Sequence, residues 1–264
     1  MRRALIALLF AHLSLTPIVR AQSCHAAPET EGNVVGLRTS VSGEPATFKT
    51  RRFEGDYRGM TVGALFIHPR VSFGASIPYF RIVRNGLAAH GWGDAVAQAS
   101  VTPFRSSDGE WSLGVLGAAM LPTGDADHDL GMGHVMLMPA LFGAWHRAHW
   151  GAELMVGYGR ALAKPGDSGA HHHHGGVGPI VRPMNMSEVS ADGNVIFRAH
   201  PHLHFRVGAS AAVPVDSPEG ASRATALAGV TFIVGPFDLG VFGQLPLVGD
   251  PIVARAVVSA GWRF

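Results

Sequence analysis

A chain of 264 residues with 47% hydrophobic and only 15% charged residues is poor in charge for a soluble protein, where about 25% is usual. The net charge of +2 is dispersed and almost wholly carried by arginine; Lys49 and Lys164 are the only lysines, so there is no basic run for nucleic acid to bind. No stretch beyond the N-terminus approaches the apolar run of roughly 20 residues that a membrane helix needs, which excludes helical spans.

Taken in chain order, residues 1–23 read as a signal peptide. Arg2 and Arg3 are followed by an apolar core over 4–15, too short to span, and then by small-x-small cleavage patterns at Val19-Arg20-Ala21 and Ala21-Gln22-Ser23. Cys24 is the only cysteine, so an intrachain disulfide is excluded. Its place just after the cleavage region raises lipid modification as an alternative fate of the mature N-terminus. Residues 24–57 are weakly patterned and fit either a strand over 44–53 or a plug-like segment.

From residue 58 a period of two recurs. Val71, Phe73, Ala75, Ile77 and Tyr79 share one face; Arg70, Ser72, Gly74 and Ser76 share the other. Ala95, Ala97, Ala99 and Val101 oppose Asp94, Gln98, Ser100 and Thr102, with Val96 interrupting the polar face. Trp150, Ala152, Leu154, Val156 and Tyr158 oppose Gly151, Glu153 and Gly157. Val195, Phe197 and Ala199 oppose Asn194, Arg198 and His200, and Leu203, Phe205, Val207, Ala209 and Ala211 oppose His202, His204, Arg206 and Ser210. In the last segment Ile252, Ala254, Ala256, Val258, Ala260, Trp262 and Phe264 oppose Arg255, Ser259 and Arg263.

This dyad predicts an all-β, transmembrane antiparallel β-barrel over 58–264, apolar outward and polar inward. The backbone has no water partners in a bilayer, so strands there must close on themselves. The predicted strands number about twelve: 44–53, 58–67, 70–83, 92–104, 111–121, 134–146, 149–161, 193–200, 202–213, 224–233, 237–246 and 252–264. Connections at 68–69, 105–110, 147–148, 201 and 235–236 are short, and those at 84–91, 122–133, 162–192, 214–223 and 247–251 are mostly longer. That asymmetry fits short periplasmic turns and long outer loops. A soluble β-sandwich produces a similar period per strand. The signal peptide, the aromatics at strand ends and a last strand ending on Phe264 favour the outer membrane of a Gram-negative bacterium, with Phe264 as the signal to its assembly machinery.

Gly91, Trp92, Gly93 and Asp94 enter one strand, and Pro122, Thr123, Gly124 and Asp125 close the next. Together with Gly131, Gly133, Pro139 and Gly157-Tyr158-Gly159, this pattern resembles the MetA-pathway of phenol degradation family of outer-membrane transporters across about 58–264. The resemblance implies an outer-membrane barrel and uptake of aromatic or apolar compounds. Physically, the second motif is first of all a turn: Pro fixes φ, Gly permits positive φ and Asp bonds nearby backbone.

Fifteen histidines depart from a plain barrel. His171, His172, His173 and His174 form a tract in the longest outer loop, which also carries Met184 and Met186. Asp127, His128, Asp129 and His134 stand in the neighbouring loop. Imidazoles suit Zn, Cu and Ni, and thioethers suit Cu(I), so the rim is a candidate for metal capture, although no cofactor is required. A second group is predicted to line the pore: Asp94, Glu153, Arg198, His200, His202, His204, Arg206 and Arg255. Arg198 to Arg206 cross a tight turn and form either a positive constriction or a set paired with Asp94 and Glu153. The expected function is a channel for small molecules or ions, not an enzyme. No Gly-x-Ser-x-Gly motif occurs, and Asp127 with His128 is the only catalytic material in sight. A membrane-embedded enzyme or a purely structural barrel are the alternatives.

Overall fold

The computed structural model describes residues 35–50, 54–162, 181, 184–215, 221–249 and 251–264. The predicted signal peptide, Cys24 and the tract His171 to His174 lie outside them. Among the described residues one antiparallel sheet runs through β1 (Gly36–Lys49), β2 (Glu54–Ile67), β3 (Val71–Arg84), β4 (Leu87–Trp92), β5 (Ala95–Arg105), β6 (Trp111–Leu121) and β7 (Met136–Arg147). It continues through β8 (Trp150–Ala161), β9 (Ser187–His200), β10 (Leu203–Pro214), β11 (Arg223–Val234), β12 (Phe237–Val248) and β13 (Ile252–Arg263).

The sheet closes where β1 meets β13, from Arg38↔Arg263 to Phe48↔Ile252. β4 pairs with the far half of β3 (Tyr79↔Trp92 to Arg84↔Leu87), and β5 pairs with its near half (Val71↔Val101 to Ser76↔Val96). β4 and β5 are therefore one stave interrupted at Gly93-Asp94, and the wall is a closed barrel of twelve antiparallel staves.

The period of two is realised in three dimensions. Phe73, Val101, Leu141, Leu154, Val195, Val207 and Val241 face out and are 44–65% exposed. Such a continuous apolar coat exceeds what a water-soluble surface carries. Ringed around the short-turn end are contacting aromatic pairs: Phe66 with Phe73, Trp111 with Trp145, Trp150 with Phe197, and Phe237 with Trp262, which stacks in turn on Phe264. Aromatic girdles of this kind mark a bilayer interface.

Four sequence expectations shift. The wall extends N-terminally beyond residue 58: β1 occupies 36–49, not 44–53, and its outward positions Thr39, Gly43 and Thr47 are too weakly apolar to display the dyad. β9 starts at Ser187, six residues before the expected 193, because its first half places Ala191 and Gly193 outward. Residues 84–91, expected as a loop, are mostly hairpin; Asn85 (φ 48) and Gly86 (φ 83) make the two-residue turn that Asn-Gly favours. Ile252, placed outward by parity, is 3% exposed inside the barrel, because the register slips by one residue beside Phe48.

Candidate functional site: the lumen and its long-loop mouth

The interior is two-faced. One group of inward positions on β5 to β8 is apolar: Val96 from β5, Leu116 and Met120 from β6, Met136, Met138 and Phe142 from β7, and Met155 from β8; toward the short-turn end the same strands turn Ser100, Thr102, Ser112 and Glu153 inward. The apolar group is 7% exposed or less throughout. Gly159 makes room for this wall; a Cβ there would stand 3.0 Å from Met136 Cε and 3.7 Å from Met184 Cε. Six of the nine methionines (Met120, Met132, Met136, Met138, Met155 and Met184) belong to the cluster. The flexible thioether adapts to varied apolar shapes. Six staves away, β13 and its neighbours present polar groups: Ser42, Glu44, Asp238, Gln244, Arg255 and Ser259 point inward and are buried.

At the long-loop end the loop between β6 and β7, and the residues Val181 and Met184, turn into the mouth. Leu130 and Val181 pack with Phe48, Tyr57, Phe80, Ile82 and Ile252, while Met132 and Met184 join the methionine wall. Asp94, expected in the pore, is 3% exposed and fastens the loop between β6 and β7. The Gly124 N–H donates to its Oδ1 at 2.9 Å and the Met132 N–H to its Oδ2 at 2.6 Å. Thr123 Oγ1 donates to the Gly93 carbonyl (2.9 Å) and accepts from the Ala95 N–H (2.8 Å). The two short motifs of the sequence thus form one latch across the broken stave. Gly124 and Gly131 are required by close approach: a Cβ on Gly131 would lie 2.5 Å from Asp94 Oδ1 and 2.8 Å from the Gly124 Cα.

The described rim residues have other partners. Asp125 accepts from the Asp127 N–H and bonds His128 Nδ1 at 2.7 Å, and that imidazole holds its carboxyl below the usual carboxylate range. Asp129 pairs with Arg84, His134 is buried, and Met184 is committed to the apolar wall. Met186 gives its carbonyl to the Ala161 N–H. Among the described residues no three His, Cys, Asp or Glu side chains stand close enough to hold a metal ion; the histidine tract lies outside them.

Near the short-turn end the basic group is largely engaged. Arg206 pairs with Glu153 (3.2 Å), Arg198 Nη2 lies 2.9 Å from His146 Nδ1, and the rings of His200 and His202 are 5.2 Å apart. Of the two groups named in the paired reading, Glu153 stands beside Arg206 while Asp94 serves the opposite end of the barrel, and His146 joins Arg198. His204 is directly across from Thr231 on β11, facing the lumen beside Arg206. A further pair, Arg38 with Asp238 (2.9 Å), was not anticipated. Above these pairs a cavity of about 840 Å³ opens along β10 to β2, lined by Tyr57, Leu227, Gln244 and Arg255.

No protein-family model matches the chain, and no curated protein sequence does either. Solved structures do. An outer membrane channel from Pseudomonas putida F1 superposes with a TM-score of 0.68 at 13% identity, over 94% of this chain and 100% of that one. The NanC porin gives 0.57 at 6% identity, over 86% and 100%. The translocator domain of the autotransporter NalP from Neisseria meningitidis gives 0.54 at 12% identity, over 89% and 91%. The fold is that of the outer-membrane barrels.

Proposed function

We propose that this chain is an outer-membrane channel of a Gram-negative bacterium that passes small organic solutes bearing an apolar or aromatic part. The observation that carries the reading is the two-faced lumen. A general ion pore needs a polar wall all round; here a methionine and phenylalanine wall faces a polar one, so an amphipathic solute has a matching surface on each side. The barrel likeness to channels and porins supports transport in general. The short-turn end, with Phe264 in its aromatic girdle, is then periplasmic, and Phe264 meets the assembly machinery. The metal-capture reading of the rim gains no support among the described residues, since its aspartates and Met184 have other partners.

Liposome swelling tests this with solutes that do not cross bare lipid. Phenyl β-glucoside is expected to enter faster than a disaccharide, and Met138→Glu is expected to remove that preference. Equal rates for the two solutes in the wild-type protein reject the apolar wall as a path; no swelling with either rejects the channel.

A further inference from the structure

We infer that Arg255 is a carboxylate receptor in the lumen, so that the solutes passed are organic anions: small acids with an aromatic or apolar body. This rests on the channel reading above and sharpens its substrate class.

Arg255 projects inward from β13, directly across from Gln244 on β12 and Ala46 on β1, and is 4% exposed. Its guanidinium is held from two sides. Nη1 stands 4.0 Å from Glu44 Oε2, and the Tyr57 ring lies 5.7 Å from Cζ. These contacts leave one edge. Nε and Nη2 meet no hydrogen-bond acceptor of the protein, and neither atom is solvent-exposed. Nε and Nη2 form the side edge of the guanidinium, whose two parallel N–H bonds match the two oxygens of a carboxylate.

Buried polar groups nearly always find partners, and leaving two donors of a cation without one is costly. Arg38 by comparison turns Nη2 onto both carboxylate oxygens of Asp238 at 2.9 Å, which leaves only its Nε without a partner, where Arg255 has both donors of the side edge in that state. Arg255 borders the cavity of about 840 Å³ together with Tyr57, Gln244 and Leu227, a volume in the roughly 300–1,000 Å³ range of small-molecule sites. Leu227 offers aliphatic surface in the same cavity, and the methionine wall stands opposite. Glu44 has its Oε1 without a partner as well. Its charge opposes an incoming anion, so it limits affinity, as a channel that must release its cargo requires.

The test is block of single-channel potassium chloride current by benzoate, with benzamide as the neutral near-isostere. Benzoate is expected to bind more tightly than benzamide. Arg255→Lys keeps the charge but removes the planar edge, and should weaken benzoate block by about tenfold or more. Glu44→Gln removes the opposing charge and should tighten it. Equal benzoate block of wild type and Arg255→Lys overturns the proposal. If Arg255→Lys fails to fold, judged by loss of heat-modifiable migration, Glu44→Gln decides, and unchanged or weaker block overturns it. Swelling in phenyl β-glucoside carries no charge and does not involve the fork. Its loss with benzoate block intact removes the apolar path alone, and the converse removes the carboxylate site alone.

Discussion

Replacing Asp94 with alanine tests whether the folded-in loop is a fastened closure. The perturbation deletes two acceptors, one at 2.9 Å from the Gly124 nitrogen and one at 2.6 Å from the Met132 nitrogen. A hydrogen bond to a charged group contributes about 1.5–3 kcal/mol, so the pair holds the loop by about 3–6 kcal/mol. The freed N–H groups reach water once the loop lifts, which favours the lower figure. The loop keeps Leu130 and Met132, 2% and 3% exposed, whose burial contributes about 1.5–3 kcal/mol each. Asp94→Ala therefore removes about half of the hold. A shift of about 3 kcal/mol changes the ratio of lifted to seated loop by about 100-fold. Hydrogen exchange at Gly124 and Met132 in micelles reads that ratio, and their protection should fall by this factor while strand amides of β7 stay protected. Single-channel conductance should rise together with it. Asp94→Asn, which retains one acceptor oxygen, should fall between. Unchanged protection at both amides in a folded Asp94→Ala barrel would refute the reasoning.

Three further predictions follow from the same geometry. Arg206→Ala removes the cation that stands 3.2 Å from Glu153, whose side chain is 8% exposed; urea denaturation in micelles should show a loss of about 3 kcal/mol, and the reversal potential in a salt gradient should move toward cation preference. Asp125 titrates below its ordinary value because of His128. Its bond therefore stabilises the loop above the ordinary carboxylate range and is lost as pH falls through the lowered value, below about pH 4; exchange at the Asp127 amide should quicken there, and Asp125→Asn should flatten the profile. Leu141 is 65% exposed on the outward face of β7, so a soluble sheet would tolerate arginine there; in a bilayer Leu141→Arg should cost up to about 2–4 kcal/mol, read as reduced folding into liposomes, and a neutral effect on that folding would contradict the lipid-facing assignment.

The wall of the barrel was legible because each stave carries its own evidence. In β10 the apolar set Phe205, Val207, Ala209 and Ala211 alternates without a break, and the structure turns every one of them outward. β6 occupies the expected 111–121. Legibility fails where outward positions are small or polar. Thr39, Gly43 and Thr47 in β1, and Ala191 and Gly193 in β9, satisfy the backbone ladder through their neighbours and so need no strong dyad of their own. Register slips are equally silent in sequence: nothing in Ile252-Val253-Ala254 says that Val253 is the extra residue opposite Thr47 and Phe48.

The lumen was half legible, for a different reason. Parity assigns a residue to the inside but not to a neighbour, and a binding surface is made of neighbours. Arg255, Glu153 and Arg206 stand at inward positions of their strands, yet the groups beside them, Glu44 for one and each other for the rest, come from strands far apart in the chain. The methionine wall had one visible trace, the apolar Val96 on the polar face of its strand. That exception recurs on β6 to β8, where Met120 faces Met136 across the ladder and Met155 faces Phe142. Apolar residues at inward parity on adjacent staves do not damage the dyad; they mean that the interior itself is partly apolar. The methionine wall on β5 to β8 stands opposite Arg255 and its unpartnered donors, and the proposed passage of amphipathic acids rests on that pairing of surfaces.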